Sequence, residues 1–253
     1  MRPNTTKAKL KAGDTVFGCF VRYPDASLIE VQGYLGWDFL IFDAEHGTLE
    51  PRDAEHMVRA AELRDVTSLV RVTTNAAPTI LRLLDTGIQG AHIPWINTAA
   101  EAERAVQAIK YYPRGTRGRA GVRAADFAQS IPLSEYIQQA NAETMVVLQI
   151  ESPEALADLP SIVEVPDVDV IFVGPTDLSH SLGLAGQIQH PTVQATIQKI
   201  IDVVTKSNVA FGILAGNAAA AREWRARGAR YIVTTIESVM APAVREYLKL
   251  SRG

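Results

Sequence analysis

The stretch MVVLQIES, residues 145–152, and the stretch VDVIFVGPTDLSHS, residues 168–181, decide the reading of the fold. Each opens with a run that is apolar at nearly every position and closes on polar groups. Those groups are Gln149 and Glu151 in the first, and Gly174, Pro175, Thr176 and Asp177 in the second. A half-exposed strand would alternate; an unbroken apolar run marks a strand covered on both faces, as in a parallel sheet.

Working outward, the same run recurs at 16–21, 37–42, 68–72, 90–94, 209–214 and 231–234, each followed by a segment with helical spacing. Pro51, Pro78, Pro153 and Pro191 stand where first helical turns should begin, because a missing N–H costs little there. Thr98 and Glu101 have capping-box spacing, and Gly87 and Gly228 fall where helices should stop. About eight strand–helix units in roughly 250 residues predict a single α/β domain, residues 1–253, folded as a (β/α)8 TIM barrel. A doubly wound sheet uses fewer strands and usually brings a glycine-rich phosphate loop; no GxGxxG or GxxxxGK[ST] occurs.

Of the 253 residues, 47% are hydrophobic and 21% charged, which excludes a disordered chain. A net charge of -3 argues against a nucleic-acid binder. No stretch is long enough without charge to cross a bilayer, and the polar start MRPNTTKAKLKAGDT lacks a signal peptide's apolar region. The single cysteine, Cys19, has no internal disulfide partner. These features predict a soluble, cytoplasmic protein.

In a barrel enzyme the reacting groups sit at the carboxyl ends of strands. The second strand ends in FDAEHG, residues 42–47, giving Asp43, Glu45 and His46; the third ends at Arg71. Glu151 and Asp177, on neighbouring strand ends, are the candidate ligands for Mg2+ or Mn2+. Taken singly, each would pass for a helix-start or loop-capping residue. His46 is the candidate base, with Asp43 near enough to orient it and Asp85 as a weaker partner. His56, His92, His180 and His190 read as structural groups. Arg71 needs a carboxylate partner or an anionic substrate, and the Gly174-Pro175-Thr176 turn offers backbone N–H groups to an anion. No lysine terminates a core strand, so a Schiff-base mechanism lacks a nucleophile. Between the fourth and fifth strands, PRGTRGRAGVRAADFAQ (113–129) carries Arg114, Arg117, Arg119 and Arg123. It is either a solvated surface loop or an anion-binding one.

FDAEHG, the strand-end Arg71, PRGTRG, LQIES and FVGPTDLSHSLG, in that order and spacing, resemble the HpcH/HpaI aldolase family of metal-dependent pyruvate aldolases. The resemblance runs from about Thr15 to the final helix. It implies a TIM barrel with its last helix exchanged between subunits, in a hexamer built as a trimer of dimers. It implies metal ligands at Glu151 and Asp177, binding Mg2+ or Mn2+, with Co2+ also admissible. His46 matches the catalytic histidine and Arg71 the arginine that steadies the enolate. Asp43 and Asp85 match acidic positions associated with the histidine. Gln149 matches a position that contacts the oxo acid in the family, and Gly174 and Pro175 fall in the turn that there holds its carboxylate. The implied substrates are a 2-oxo acid and an aldehyde, joined or cleaved at a 4-hydroxy-2-oxo acid. The loop RGRAGVRAADF departs from the family's familiar members; there Arg123 is either a grip for a distal anion or a surface residue. Relatives that decarboxylate or condense oxaloacetate keep a second reaction open, and a non-catalytic oxo-acid binder is a third reading.

Overall fold

A computed structural model describes residues 1–253. Eight parallel strands close into a barrel in sequence order: β1 (Val16–Val21), β2 (Phe39–Asp43), β3 (Thr67–Arg71), β4 (Gly90–Ile93), β5 (Met145–Gln149), β6 (Val170–Val173), β7 (Ala210–Leu214) and β8 (Tyr231–Thr235). The ring shuts where Val16 of β1 aligns with Tyr231 of β8. The expected barrel is therefore observed, with strand ends displaced from the sequence reading by at most two residues.

The helices are α1 (Thr5–Lys11), α2 (Ala26–Tyr34), α3 (Pro51–Glu62), α4 (Ala77–Leu84), α5 (Ala99–Ile109), α6 (Leu133–Glu143), α7 (Pro153–Ile162), α8 (Pro175–Ser181), α9 (Pro191–Val204), α10 (Ala218–Ala226) and α11 (Ile236–Ser251). Pro51, Pro78, Pro153 and Pro191 all lie in first turns, as expected. Gly87 and Gly228 take φ of 104° and 101°, the left-handed turn that ends α4 and α10. The Thr98 box forms only by half. Thr98 accepts from Glu101 N, while the Glu101 carboxylate reaches Asn97 N at 2.8 Å, one residue too early.

Two layers of core follow. Alternate strand residues such as Phe39, Ile41, Leu69, Val147, Phe172 and Tyr231 fill the barrel. The intervening residues pack outward against the helices, joined by side chains such as Ile29, Val58, Ile80 and Ile197. The polar start, read from sequence as a tail, folds as α1 and plugs the amino end. Asn4 caps it, and Leu10 reaches the interior cluster. The opposite, carboxyl end is left open for chemistry. No helix is long and apolar enough to cross a membrane.

Candidate active site

At the open end, β2 and β3 are in register with Asp43 opposite Arg71. The fully buried Asp43 accepts from Arg71 Nε at 2.9 Å and Nη2 at 2.6 Å. This two-pronged pair fixes the guanidinium plane. Burial alone would raise the Asp43 carboxyl, but the Arg71 hydrogen bonds and charge outweigh it and hold it below the ordinary value. Arg71 also meets Glu45 at 3.2 Å and lies 4.5 Å from the centre of the Phe20 ring. Asp43 further accepts from the backbone N–H of Glu45 and His46 at 3.1 and 3.2 Å. It therefore folds the loop that carries His46 by its main chain, while Arg71 takes the carboxylate that was expected to face the imidazole.

Across the mouth, β5 delivers Gln149 and Glu151, and the β6–α8 turn delivers Gly174, Thr176 and Asp177. A Cβ placed on Gly174 would stand 3.1 Å from Asp177 Oδ2 and 3.3 Å from Glu151 Oε1. Both carboxylates thus flank one glycine, and the missing side chain keeps the space between them open. Gln149 Nε2 donates to Glu151 Oε1 at 2.7 Å. Burial, then the charge of Asp177, nevertheless push the Glu151 carboxyl up to about 7. A hard divalent cation would relieve that repulsion, so the donor set fits one. The chain places no three His, Cys, Asp or Glu side chains where together they could hold a metal ion. The remaining coordination positions would fall to water or substrate oxygens.

His46, Arg71, Gln149, Glu151, Gly174, Thr176 and Asp177 line one cavity of about 220 Å3. Pro175 is buried behind it at the first turn of α8 and lines a neighbouring cavity with Thr176. Arg22, which the sequence reading overlooked, joins the mouth at the end of β1, 3.6 Å from Asp43. Its signal was the one that flagged Arg71: a full charge directly after an apolar run.

Two expected members stand elsewhere within the chain. Asp85 ends α4 and accepts from Arg117 at 2.7 Å. Arg123 is held by Glu62 at 2.5 Å and by the Thr86 carbonyl at 2.7 Å. Arg114 pairs with Asp167, and only Arg119 of the four loop arginines is exposed without an ion-pair partner. Three of the loop's four arginines are thus paired with the chain's own carboxylates.

Fold and mouth together define a (β/α)8 barrel of the enzyme type, with a two-carboxylate centre facing a strand-end arginine. The chain belongs to the HpcH/HpaI aldolase/citrate lyase family, whose model matches residues 16–241. A hydroxypyruvate/pyruvate aldolase of Roseobacter denitrificans is 35% identical over 94% of this chain and 92% of its own. A 4-hydroxy-2-oxo-heptane-1,7-dioate aldolase of Escherichia coli is 34% identical over 99% of this chain and 95% of its own. The crystal structure of a family protein from Burkholderia cenocepacia superposes with a TM-score of 0.94 at 33% identity, covering 99% of this chain and 100% of that one.

Proposed function

We propose that the protein is a divalent-metal-dependent pyruvate aldolase that cleaves or forms a 4-hydroxy-2-oxo acid. The observation that carries this reading is the Glu151–Asp177 pair around Gly174, facing the Asp43-anchored Arg71 across one cavity. Glu151 and Asp177 would hold the cation, Mg2+ or Mn2+, which when bound would supply Lewis acidity to the oxo acid. In cleavage, His46 accepts the proton of the 4-hydroxyl as the C3–C4 bond breaks. The bond's electron pair passes to C3 and the keto group, giving the enolate of pyruvate and a free aldehyde. Arg71, locked in plane by Asp43, offsets the negative charge gathering on the enolate oxygen. Gln149, Gly174 and Thr176 line the side on which the oxo acid lies, and protonation at C3 completes pyruvate. Addition runs the same steps backwards.

The test is pyruvate release from 4-hydroxy-2-oxo acids before and after chelation. Activity is expected to vanish with EDTA and return with Mg2+ or Mn2+; activity that survives complete metal removal overturns the reading.

The same proposal includes a homo-oligomer, a hexamer with α11 exchanged between subunits. Its support is that Val239, Met240, Val244, Tyr247 and Leu250 of α11 are exposed. Beside the helix lies an apolar groove of about 520 Å3, lined by Phe17, Trp37, Ala221 and Ile232. A chain ended at Thr235 is expected to give a smaller assembly by light scattering. An unchanged mass refutes the exchange.

A further inference from the structure

The interior of the barrel holds a line of polar side chains below the mouth that the mechanism does not use. Tyr231 Oη and His92 Nε2 are 2.6 Å apart, with both residues fully buried. The His92 ring lies edge-on to Phe172 and Phe20, so no other polar group of these neighbours competes for it. His92 sits on β4 opposite Val147, two residues before Gln149 on the adjacent strand. Gln149 in turn donates to Glu151. Two polar atoms along this line lack a direct partner, His92 Nδ1 and Gln149 Oε1. They are complementary, an imidazole N–H donor and an amide carbonyl on adjacent strands, with no direct hydrogen bond between them and no other partner for either.

Each proton in the line is fixed by its neighbour. Glu151 is an acceptor when ionised, so Gln149 turns its NH2 toward Glu151 and its carbonyl toward His92. A carbonyl requires a donor, which places the imidazole proton on Nδ1. Nε2 is then a bare acceptor and takes the hydroxyl proton of Tyr231. Burial, then the charge of Arg71, push His92 down to about 3, so the ring is neutral and must choose one tautomer.

We propose that His92 and Tyr231 are positioning residues, whose hydrogen-bond chain through Gln149 sets the Glu151 carboxylate to bind a divalent cation. This inference rests on the metal-site reading above. Without the His92 donor, Glu151 alone orients the Gln149 amide, whose carbonyl is left without a donor. In the flipped amide a carbonyl oxygen confronts Glu151, and the carboxylate keeps only the longer contact from the Trp95 backbone N–H at 3.4 Å. His92 therefore acts as a support behind a metal ligand, as the outer hydrogen-bond partners of metal sites generally do.

The experiment measures Mn2+ affinity by EPR titration of the full-length protein with the metal alone, alongside thermal unfolding. His92→Phe keeps the ring shape and removes both nitrogens; its Mn2+ Kd is expected to rise about 10–100-fold. His92→Asn keeps a donor near the Nδ1 position and is expected to recover most of that loss. Tyr231→Phe, nearly isosteric, is expected to raise Kd about two- to tenfold and to add nothing further in the His92→Phe background. An unchanged Kd in Tyr231→Phe overturns the proposal, and that variant decides the matter if His92→Phe does not fold. Asn behaving like Phe also overturns it, since packing alone would then explain the residue. Glu151→Gln is the control. If it loses Mn2+ while His92→Phe does not, the support role fails and the metal site stands. If Glu151→Gln also binds normally, the metal-site reading itself fails.

Discussion

The two ends of the barrel each bury an ionisable group far from its ordinary pKa, and they differ in what surrounds it. At the carboxyl end Glu151 is pushed up to about 7, faces a second carboxylate and opens onto a cavity. At the amino end Lys110 is fully buried, and burial followed by the charge of Lys7 pushes it down to about 6. Its Nζ donates to the carbonyls of Asn141 and Thr144 at 2.8 and 2.6 Å. Lys7 beside it is matched to Asp169 at 3.0 Å. A shifted pKa by itself therefore marks burial, not function. Function follows where the strain is left open to a ligand, and structure where the chain supplies the partners itself. Lys110 has the lowered pKa of a Schiff-base lysine and no route to a substrate.

The largest expected effect tests the open end. Glu151→Gln or Asp177→Asn removes a charge that the proposed mechanism requires but that the metal-free fold resists. Aldol cleavage should fall by about 10²–10³-fold, while the metal-free protein becomes no less stable, because the like-charge repulsion is gone. Steady-state kinetics and urea unfolding of the same preparations measure both. Loss of activity together with loss of stability would erase the distinction between the two ends.

Local sequence carried the strands well, because a strand covered on both faces writes an unbroken apolar run whatever its partners. It carried Asp43, Arg71, Glu151 and Asp177 for a related reason: a charge that ends such a run has to be used or paired. Arg22 carries the same signal and shows that the rule was applied too narrowly. Partner choice was not legible. Nothing local to Asp85 or Arg123 says that Arg117 and Glu62 will claim them; that depends on a loop folding back on two helices. Nor was α1 legible, since its cap Asn4 and its residues Thr6 and Lys7 are buried, where a hydropathy pattern reads them as solvated. His92 was read as a core histidine, and burial agrees; its place between Tyr231 and Gln149 needed three strands brought together.

A smaller effect tests the closed end. Lys110→Met keeps the aliphatic stem and discards the amine. The carbonyls it served keep other donors, since Thr144 O accepts from Lys7 and Asn141 O from Arg114. Stability at neutral pH should therefore stay within about 1 kcal/mol of the parent, with kcat and KM unchanged. A collapse of activity in a folded Lys110→Met protein would move chemistry to the floor of the barrel.

The finest test lies in the pH dependence of stability, where the two ends should pull in opposite directions in metal-free protein. Lys110 titrates near 6 when folded and near 10.5 when unfolded. Between those values the unfolded chain holds the extra proton, so this group makes stability climb as pH rises and lowers it as pH falls toward 6. Glu151 is raised from 4.5 to about 7, so there the folded protein holds the extra proton, and stability declines as pH rises from 4.5 to 7. Above pH 7 only the lysine acts. Lys110→Met should flatten the climb measured by urea unfolding between pH 7 and 9, and Glu151→Gln should leave that climb intact while removing the decline below 7. The reverse assignment of the two limbs would mean that the buried charges are compensated at the mouth and exposed at the floor, against the geometry of both.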